Sequence, residues 1–348
     1  MGVLCASALA GAAAAQSQQS GSDAGLHFSF GDWEVACDNT RTCRMAGYHE
    51  GYDGPEVSIL LTRKGGPGAA VTGRLRLGSE SAPKRPPAGA RLQMRIDGKP
   101  LGTVNLPPDD GSSDLSTEQV SALVAALSRT TTIEWVLGNQ RWRLSDKGAA
   151  AVMLKMDDVQ GRVGTPGALL RRGTAAEDRV PPAVPAPVIH IPVLPKAQAA
   201  ERVAADVEKA LRPALRAVLK DKDECPLMME SPAEPVTLYR LSGGKALATT
   251  GCWRAAYNAG SAFWVINQTP PWAPMLVTMT GTDYSDGVIS AAHKGRGIGD
   301  CFSFESWAWD GKRFVASEKS TTGACKLIAA GGTWEMPTQV TELRRANR

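Results

Sequence analysis

A mainly β protein with a few helices (α+β), built as two antiparallel β-rich domains joined by a proline-rich linker, is the fold class this sequence predicts. Three observations carry it. Short alternating or continuous apolar runs, bounded by Gly, Pro and Asp, recur in both halves of the chain. Six prolines crowd between Pro181 and Pro195. Two short stretches carry helical periodicity, and a third is read as helix from its charge and alanine content.

The chain opens with an apolar, small-residue run from Leu4 to Ala15, ending in Ala13-Ala14-Ala15 ahead of polar Gln16–Ser22. Residues 1–15 read as a secretory signal peptide cleaved after Ala15, although no Lys or Arg precedes the run. The run is too short and too rich in alanine to span a bilayer, so no transmembrane segment is expected in the mature chain.

A first domain, 26–175, is expected to be sandwich-like. Strand patterns fall at EVSILLTR (56–63), GRLRLGS (73–79), ARLQMRID (90–97), TTIEWVLG (131–138) and QRWRLSD (140–146). In LSTEQVSALVAALSRT, Ser116 and Gln119 make a capping box, and Val120, Leu123, Val124 and Leu127 make an apolar stripe. A second short helix is expected after Ser145 as its cap, with Val152, Met153 and Met156 inward and Gly161 at its end.

Residues 176–198 form the linker, extended as polyproline II because proline supplies no N–H to a sheet interior. Its Val184, Val188, Ile189, Ile191, Val193 and Leu194 imply that it lies along a surface. A second domain, 199–348, should hold a helix over about 198–220, with Pro213 kinking it or starting a second segment, packed on an antiparallel sheet. Strand patterns follow at 235–242, 245–253, 261–268, 273–281, 286–294, 300–311, 312–321 and 332–338, with Asp310-Gly311 as a hairpin turn.

Seven cysteines occur, and Cys5 lies in the leader. The other six, Cys37, Cys43, Cys225, Cys252, Cys301 and Cys325, form an even set that in an exported chain reads as three disulfides. Their order favours Cys37–Cys43, Cys225–Cys252 and Cys301–Cys325 among the fifteen pairings open to six cysteines. No C-x-x-C spacing occurs, and His27, His49, His190 and His293 are scattered, which argues against a zinc site.

With 39 basic and 35 acidic residues, the net charge of +4 makes no case for a nucleic-acid partner. The densest basic stretch, 84–95, alternates charge with Leu92 and Met94 as the outer face of a strand would. No G-x-S-x-G, H-E-x-x-H or P-loop pattern occurs. Gly295–Asp300 imitates a dinucleotide loop but is followed by a strand pattern, so it reads as a connector. Asp283 and Asp286, candidates for calcium, read better as turn residues. Two groups stay as binding candidates. Asp157, Asp158, Gln160 and Arg162 concentrate polar chemistry at a helix end, and Trp307 and Trp309 share one face of a strand. No cofactor is expected.

The pattern of Phe30, Asp32, Trp33, Val35, Cys37, Asp38, Asn39, Arg41, Cys43, Ala46, Gly47 and Tyr48, then MDDVQGR (156–162), then the block 295–326, resembles an uncharacterised exported proteobacterial family, the domain of unknown function numbered 1176. The stretch 28–173 is also similar to the invasion-associated locus B family of envelope proteins. Both resemblances imply a periplasmic or secreted protein, and neither supplies catalytic residues. The leading expectation is a non-enzymatic envelope module that binds a protein, peptidoglycan or glycan partner. Its rivals are an unfamiliar hydrolase using Asp157 and Asp158, with His293 as a further candidate, and a purely structural protein.

Overall fold

The structure is a computed structural model that describes residues 25–346 apart from 53, 79–85, 110, 196–199, 221–222 and 232. The expected signal peptide and Cys5 lie outside the described residues.

Strands β1 (Leu26–Phe30), β2 (Trp33–Cys37), β3 (Cys43–Tyr48), β4 (Val57–Arg63) and β5 (Val71–Leu77) succeed one another as antiparallel neighbours. The hairpin of β6 (Arg91–Ile96) and β7 (Lys99–Asn105) starts a second sheet, and short β8 (Ser113–Asp114) returns to the edge of β5. Helix α1 (Thr117–Ala126) has the expected capping box, with Ser116 Oγ accepting from Gln119 N. Strands β9 (Ile133–Leu137) and β10 (Gln140–Leu144) complete a four-stranded sheet in the order β10-β9-β6-β7. Helix α2 (Ala149–Val159) closes this half. Its N-terminal residue is Gly148 at φ 99°, not Ser145, whose hydroxyl instead accepts from Lys147 N. The left-handed turn at Gly148 brings the helix start directly under the backbone of Phe30.

One apolar core joins the two sheets and both helices: Val35, Met45, Ile59 and Leu75 meet Leu92, Met94, Trp135 and Trp142, with Leu123 from α1 and Val152 and Met156 from α2. The six-stranded sheet is unusual in being buried on both faces. All five residues of β2 are buried, although strict alternation would leave half of them wet. Ala36, Ala46, Tyr48 and Leu60 on the second face pack against Ile328, Trp334 and Met336 from the other end of the chain.

The proline-rich segment is fastened along its length. Pro181 O accepts from Gly66 N, Pro182 O from Arg41 Nη1, and Val184 N donates to Thr40 O. It then forms β11 (Val188–Ile191), which pairs in parallel with the last strand. A two-stranded ribbon suits such a segment, because each proline falls outside the paired residues. Short β12 (Glu201–Arg202) precedes α3 (Ala205–Ala217), which begins later than the charge pattern suggests and runs through Pro213 without a break in its assignment.

The second half stacks in layers. Strands β13 (Thr237–Arg240), β14 (Lys245–Arg254), β15 (Ala259–Asn267) and β16 (Met275–Gly281) continue from β12 as one five-stranded sheet. Strands β17 (Asp283–Ser285), β18 (Val288–Lys294), β19 (Phe302–Trp309), β20 (Phe314–Thr321) and β21 (Met336–Gln339) form another. Strand β22 (Glu342–Arg345) returns to pair with β11. Leu211 and Leu215 of α3 cover one face of the first sheet at Ala248, Trp264 and Ile266. Its other face meets the second sheet through Leu247, Phe263, Ile289 and Trp309.

The three disulfides join chain neighbours, Cys37–Cys43, Cys225–Cys252 and Cys301–Cys325. The first ties β2 to β3 at their turn, where the two cysteines are cross-strand partners.

Besides the shared core, polar bonds join the halves. Asn39 reads both backbone groups of Val340, with Nδ2 donating to its oxygen at 3.0 Å and Oδ1 accepting from its nitrogen at 2.8 Å. Trp334 Nε1 donates to Ser58 Oγ at 2.7 Å. Replacing Asn39 by Ala removes two neutral hydrogen bonds and should lower unfolding free energy by about 1–3 kcal/mol. Chemical denaturation of the variant beside wild type checks this.

Candidate functional site

The polar cluster of MDDVQGR is a buried joint. Asp157 is fully buried, and its Oδ1 accepts from Arg63 Nη2 at 2.6 Å while Oδ2 accepts from Leu169 N at 2.8 Å and Leu170 N at 3.1 Å. Gln160 accepts from Arg63 Nε at 2.7 Å and donates to the carbonyls of Arg41 and Arg63. Arg162 donates to Gly66 O and lies 3.6 Å from Glu177. Both oxygens of Asp157 are thus bonded within the protein, and the side chain is fully buried. Asp158 points outward to Lys155.

The hydrolase grouping finds no geometric support. His293 sits on β18 with its ring 5.3 Å from that of Trp253, while the partners of Asp157 all come from Arg63, Leu169 and Leu170. The tryptophan pair gives no exposed platform either. Trp309 is fully buried and donates to Ser242 Oγ, and Trp307 packs beside it on the same core.

A hollow lies elsewhere, between the halves. A cleft of about 430 Å³ is walled by His27, Ser29 and Glu34 from β1 and β2, Tyr48 from β3, Phe302 and Ser303 from β19, and the segment Gly323–Lys326. It opens where the second face of the six-stranded sheet runs past the apolar cover of Trp334 and Met336. Strand periodicity places His27 and Ser29 on that face, while Leu26 and Phe28 turn to the core.

Glu34 is the centre of its polar wall. The carboxylate is buried; Oε1 accepts from Tyr48 OH at 2.5 Å and from Ala324 N at 2.7 Å, and Oε2 bonds His27 Nε2 at 2.7 Å. The bond to Glu34 holds the His27 imidazole above its ordinary pKa, against the opposing effect of burial. Burial and the Glu34 charge raise Tyr48 well above the usual phenol range, so it stays a donor. Gly323 passes so close that a Cβ there would stand 2.2 Å from Tyr48 OH, and its φ of +84° favours glycine as well.

At the other end of the cleft, Lys326 Nζ donates to Asp32 Oδ1 at 2.9 Å and to the carbonyls of His49 and Gly51 at 3.2 and 3.3 Å. Tyr52 stands exposed above it, with Lys326 and Arg296 at 5.4 and 5.5 Å from its ring centroid. The Cys301–Cys325 disulfide forms part of the wall. Among the described residues, one group has metal-ligand spacing, Asp300 with these two cysteines. Both thiols are spent in the disulfide, and Asp300 accepts from Arg296 and Leu327 N. The Gly295–Asp300 connector is therefore a closed turn. Asp286 and Gly287, both at positive φ, form the tight turn between β17 and β18.

His27 and Glu34 carry no sequence signal of their own. Asp32, Trp33 and Tyr48 belong to the N-terminal stretch and Cys301, Cys325 and Lys326 to the 295–326 block, and the cleft is where the two meet.

The chain belongs to the family described as "Protein of unknown function (DUF1176)", which it matches over residues 27–341. The match spans both halves and every wall of the cleft. An uncharacterised protein of Escherichia coli (strain K12), YpfG, is 26% identical over 339 residues, spanning 88% of this chain and 90% of its own length. No solved structure matches the chain.

Two predictions follow from these bonds. Asp157→Ala leaves the buried Arg63 guanidinium unpaired and should cost about 3–5 kcal/mol, whereas Asp158→Ala should change stability little. Equilibrium unfolding of both variants would separate them. His27 contributes stability that is full below its unfolded pKa near 6.5 and fades as pH rises through its raised folded value. His49, lowered by burial and by Lys326, works in the opposite direction as pH falls. Wild type should therefore lose its advantage over His27→Gln as the medium goes from mildly acidic to mildly alkaline; unfolding midpoints that shift in parallel would refute this.

Proposed function

We propose that this chain is an exported, periplasmic or secreted, envelope protein that works by binding rather than by catalysis, and that its partner, an envelope protein or glycan, enters the cleft between the halves. The observation that carries the reading is the joint composition of that cleft: Asp32, Trp33 and Tyr48 from the N-terminal stretch and Cys301, Phe302 and Lys326 from the 295–326 block all line it. Its volume falls within the roughly 300–1,000 Å³ of small-molecule sites. Its titratable groups are tied into bonds that hold the walls together, which supports recognition over acid–base chemistry. Three disulfides favour an oxidising compartment, where such bonds persist. Among the described residues no helix is long and apolar enough to cross a membrane.

Ser303 is exposed on the cleft wall, so Ser303→Trp should fill the space without disturbing a buried contact. Wild type should be retained on immobilised envelope fractions, and the variant should bind at least about tenfold more weakly, or ~1.4 kcal/mol. Equal retention of the two proteins would remove the cleft from the function.

A further inference from the structure

The identity of the cleft's ligand follows from which polar groups are already used, and the inference rests on the cleft being the binding site. Every charged side chain in its walls has a partner within the protein. Asp32 holds Lys326 at 2.9 Å, and Glu34 holds His27 at 2.7 Å while accepting from Tyr48 and Ala324. Arg296 at the rim is gripped by both oxygens of Asp300 at 2.7 and 2.5 Å. A charged ligand would have to break one of these pairs to gain its own, exchanging one ion pair for another. The cleft is complementary to a neutral molecule.

What remains open to a ligand is of two kinds. The hydroxyls of Ser29 and Ser303 are exposed on opposite walls, and His27 lines the cleft with Nε2 turned to Glu34. With Nε2 turned to Glu34, Nδ1 donates while the ring is protonated, the form Glu34 favours, and accepts when the ring is neutral. Between these polar points lie apolar surfaces from Phe302, Ala324 and the Cys325 side of the disulfide.

We infer that the cleft takes a neutral saccharide, with pyranose C–H faces against Phe302 and the disulfide and ring hydroxyls shared among Ser29, Ser303 and His27. A pyranose offers this combination: two apolar faces, an edge of hydroxyls that both donate and accept, and no charge. An acyl chain or an apolar peptide side chain would cover the same walls but strip Ser29, Ser303 and His27 of water without replacing it. An anionic sugar would meet Asp32 and Glu34.

The full mature chain should be titrated with neutral mono-, di- and trisaccharides of hexoses and N-acetylhexosamines, followed by calorimetry and by ligand-observed NMR. Saturable binding is expected. Ser29→Ala and Ser303→Ala should each weaken it by about three- to tenfold, and Ser303→Trp should abolish it. Unfolding midpoints close to wild type establish that these variants are folded; should Ser303→Trp fail to fold, the two alanine variants carry the test. Parallel arms use a neutral apolar tripeptide and a medium-chain fatty acid. Saturable binding of either of these with the saccharides silent would overturn the saccharide assignment and leave the cleft as the binding site. Saccharide binding unaffected by any of the three substitutions would overturn both. No binding from any arm would overturn the saccharide assignment as well, and retention on envelope fractions would then decide the broader reading alone.

Discussion

The carboxylate of Glu34 is the constraint on which the relation of the two halves depends. It lies on β2 at the boundary between them, and burying it costs several kcal/mol unless its lone pairs are filled. The fold fills them from three directions: Tyr48 on the neighbouring strand, His27 on the edge strand, and the backbone of Ala324 from the far half. The last of these fixes the segment Gly323–Lys326 against the sheet, and Lys326 then reaches Asp32 and the carbonyls of His49 and Gly51. Two ends of one short segment are thereby pinned, and the space left between them is the cleft. The disulfide from Cys325 to Cys301 ties the same segment to the start of β19. The cleft is a by-product of how the halves are clamped, which makes its shape as rigid as the clamp.

Much of the architecture was legible in the sequence because it rests on local signals. The capping box at Ser116 and Gln119, the disulfide-tied hairpin at Cys37–Cys43 and most of the strand runs depend on residues near one another in the chain. What escaped depends on partners far away. Strand β22, ELRR, is exposed at all four residues and has no apolar pattern; it is a strand only because β11 lies beside it. Strand β7 contains Pro100, Gly102 and a bulge against β6, each of which argues against a strand when read alone. The helix cap at Ser145 failed for the opposite reason. A good capping residue was present, but contact with Phe30 placed the helix start at Gly148 instead.

The candidate site was less legible, because a sequence reveals which polar residues are concentrated, not which are satisfied. Asp157, Asp158, Gln160 and Arg162 stand out in the chain since they put four strongly polar residues within six positions at a helix end. Their concentration has a structural cause: Arg63 at the end of β4 needs an anion and an acceptor at depth, and the end of α2 supplies both. His27 and Glu34, seven positions apart on successive strands, look like routine exposed residues of alternating strands. Their meeting requires the register of β1 on β2, which pairs Ser29 with Glu34 and brings His27 alongside.

Several residues of the first motif are occupied in joining the two halves. Asn39 bonds Val340, Tyr48 bonds Glu34 and Ala324, and Asp32 bonds Lys326, so much of the first motif grips the other half. Trp33 and Gly47 serve the packing of the first half itself: a Cβ at position 47 would run into the Trp33 indole, whose Nε1 donates to Ser145 O. Such residues are fixed by the demand that the halves dock in one way. Docking in one way also gives the cleft fixed walls, with its charges neutralised in place and its hydroxyls left exposed. A site assembled like this pays no reorganisation when a ligand arrives, since the bonds that shape it are made in the free protein. Pre-formed walls that offer hydroxyls and apolar contact suit the recognition role proposed for the cleft.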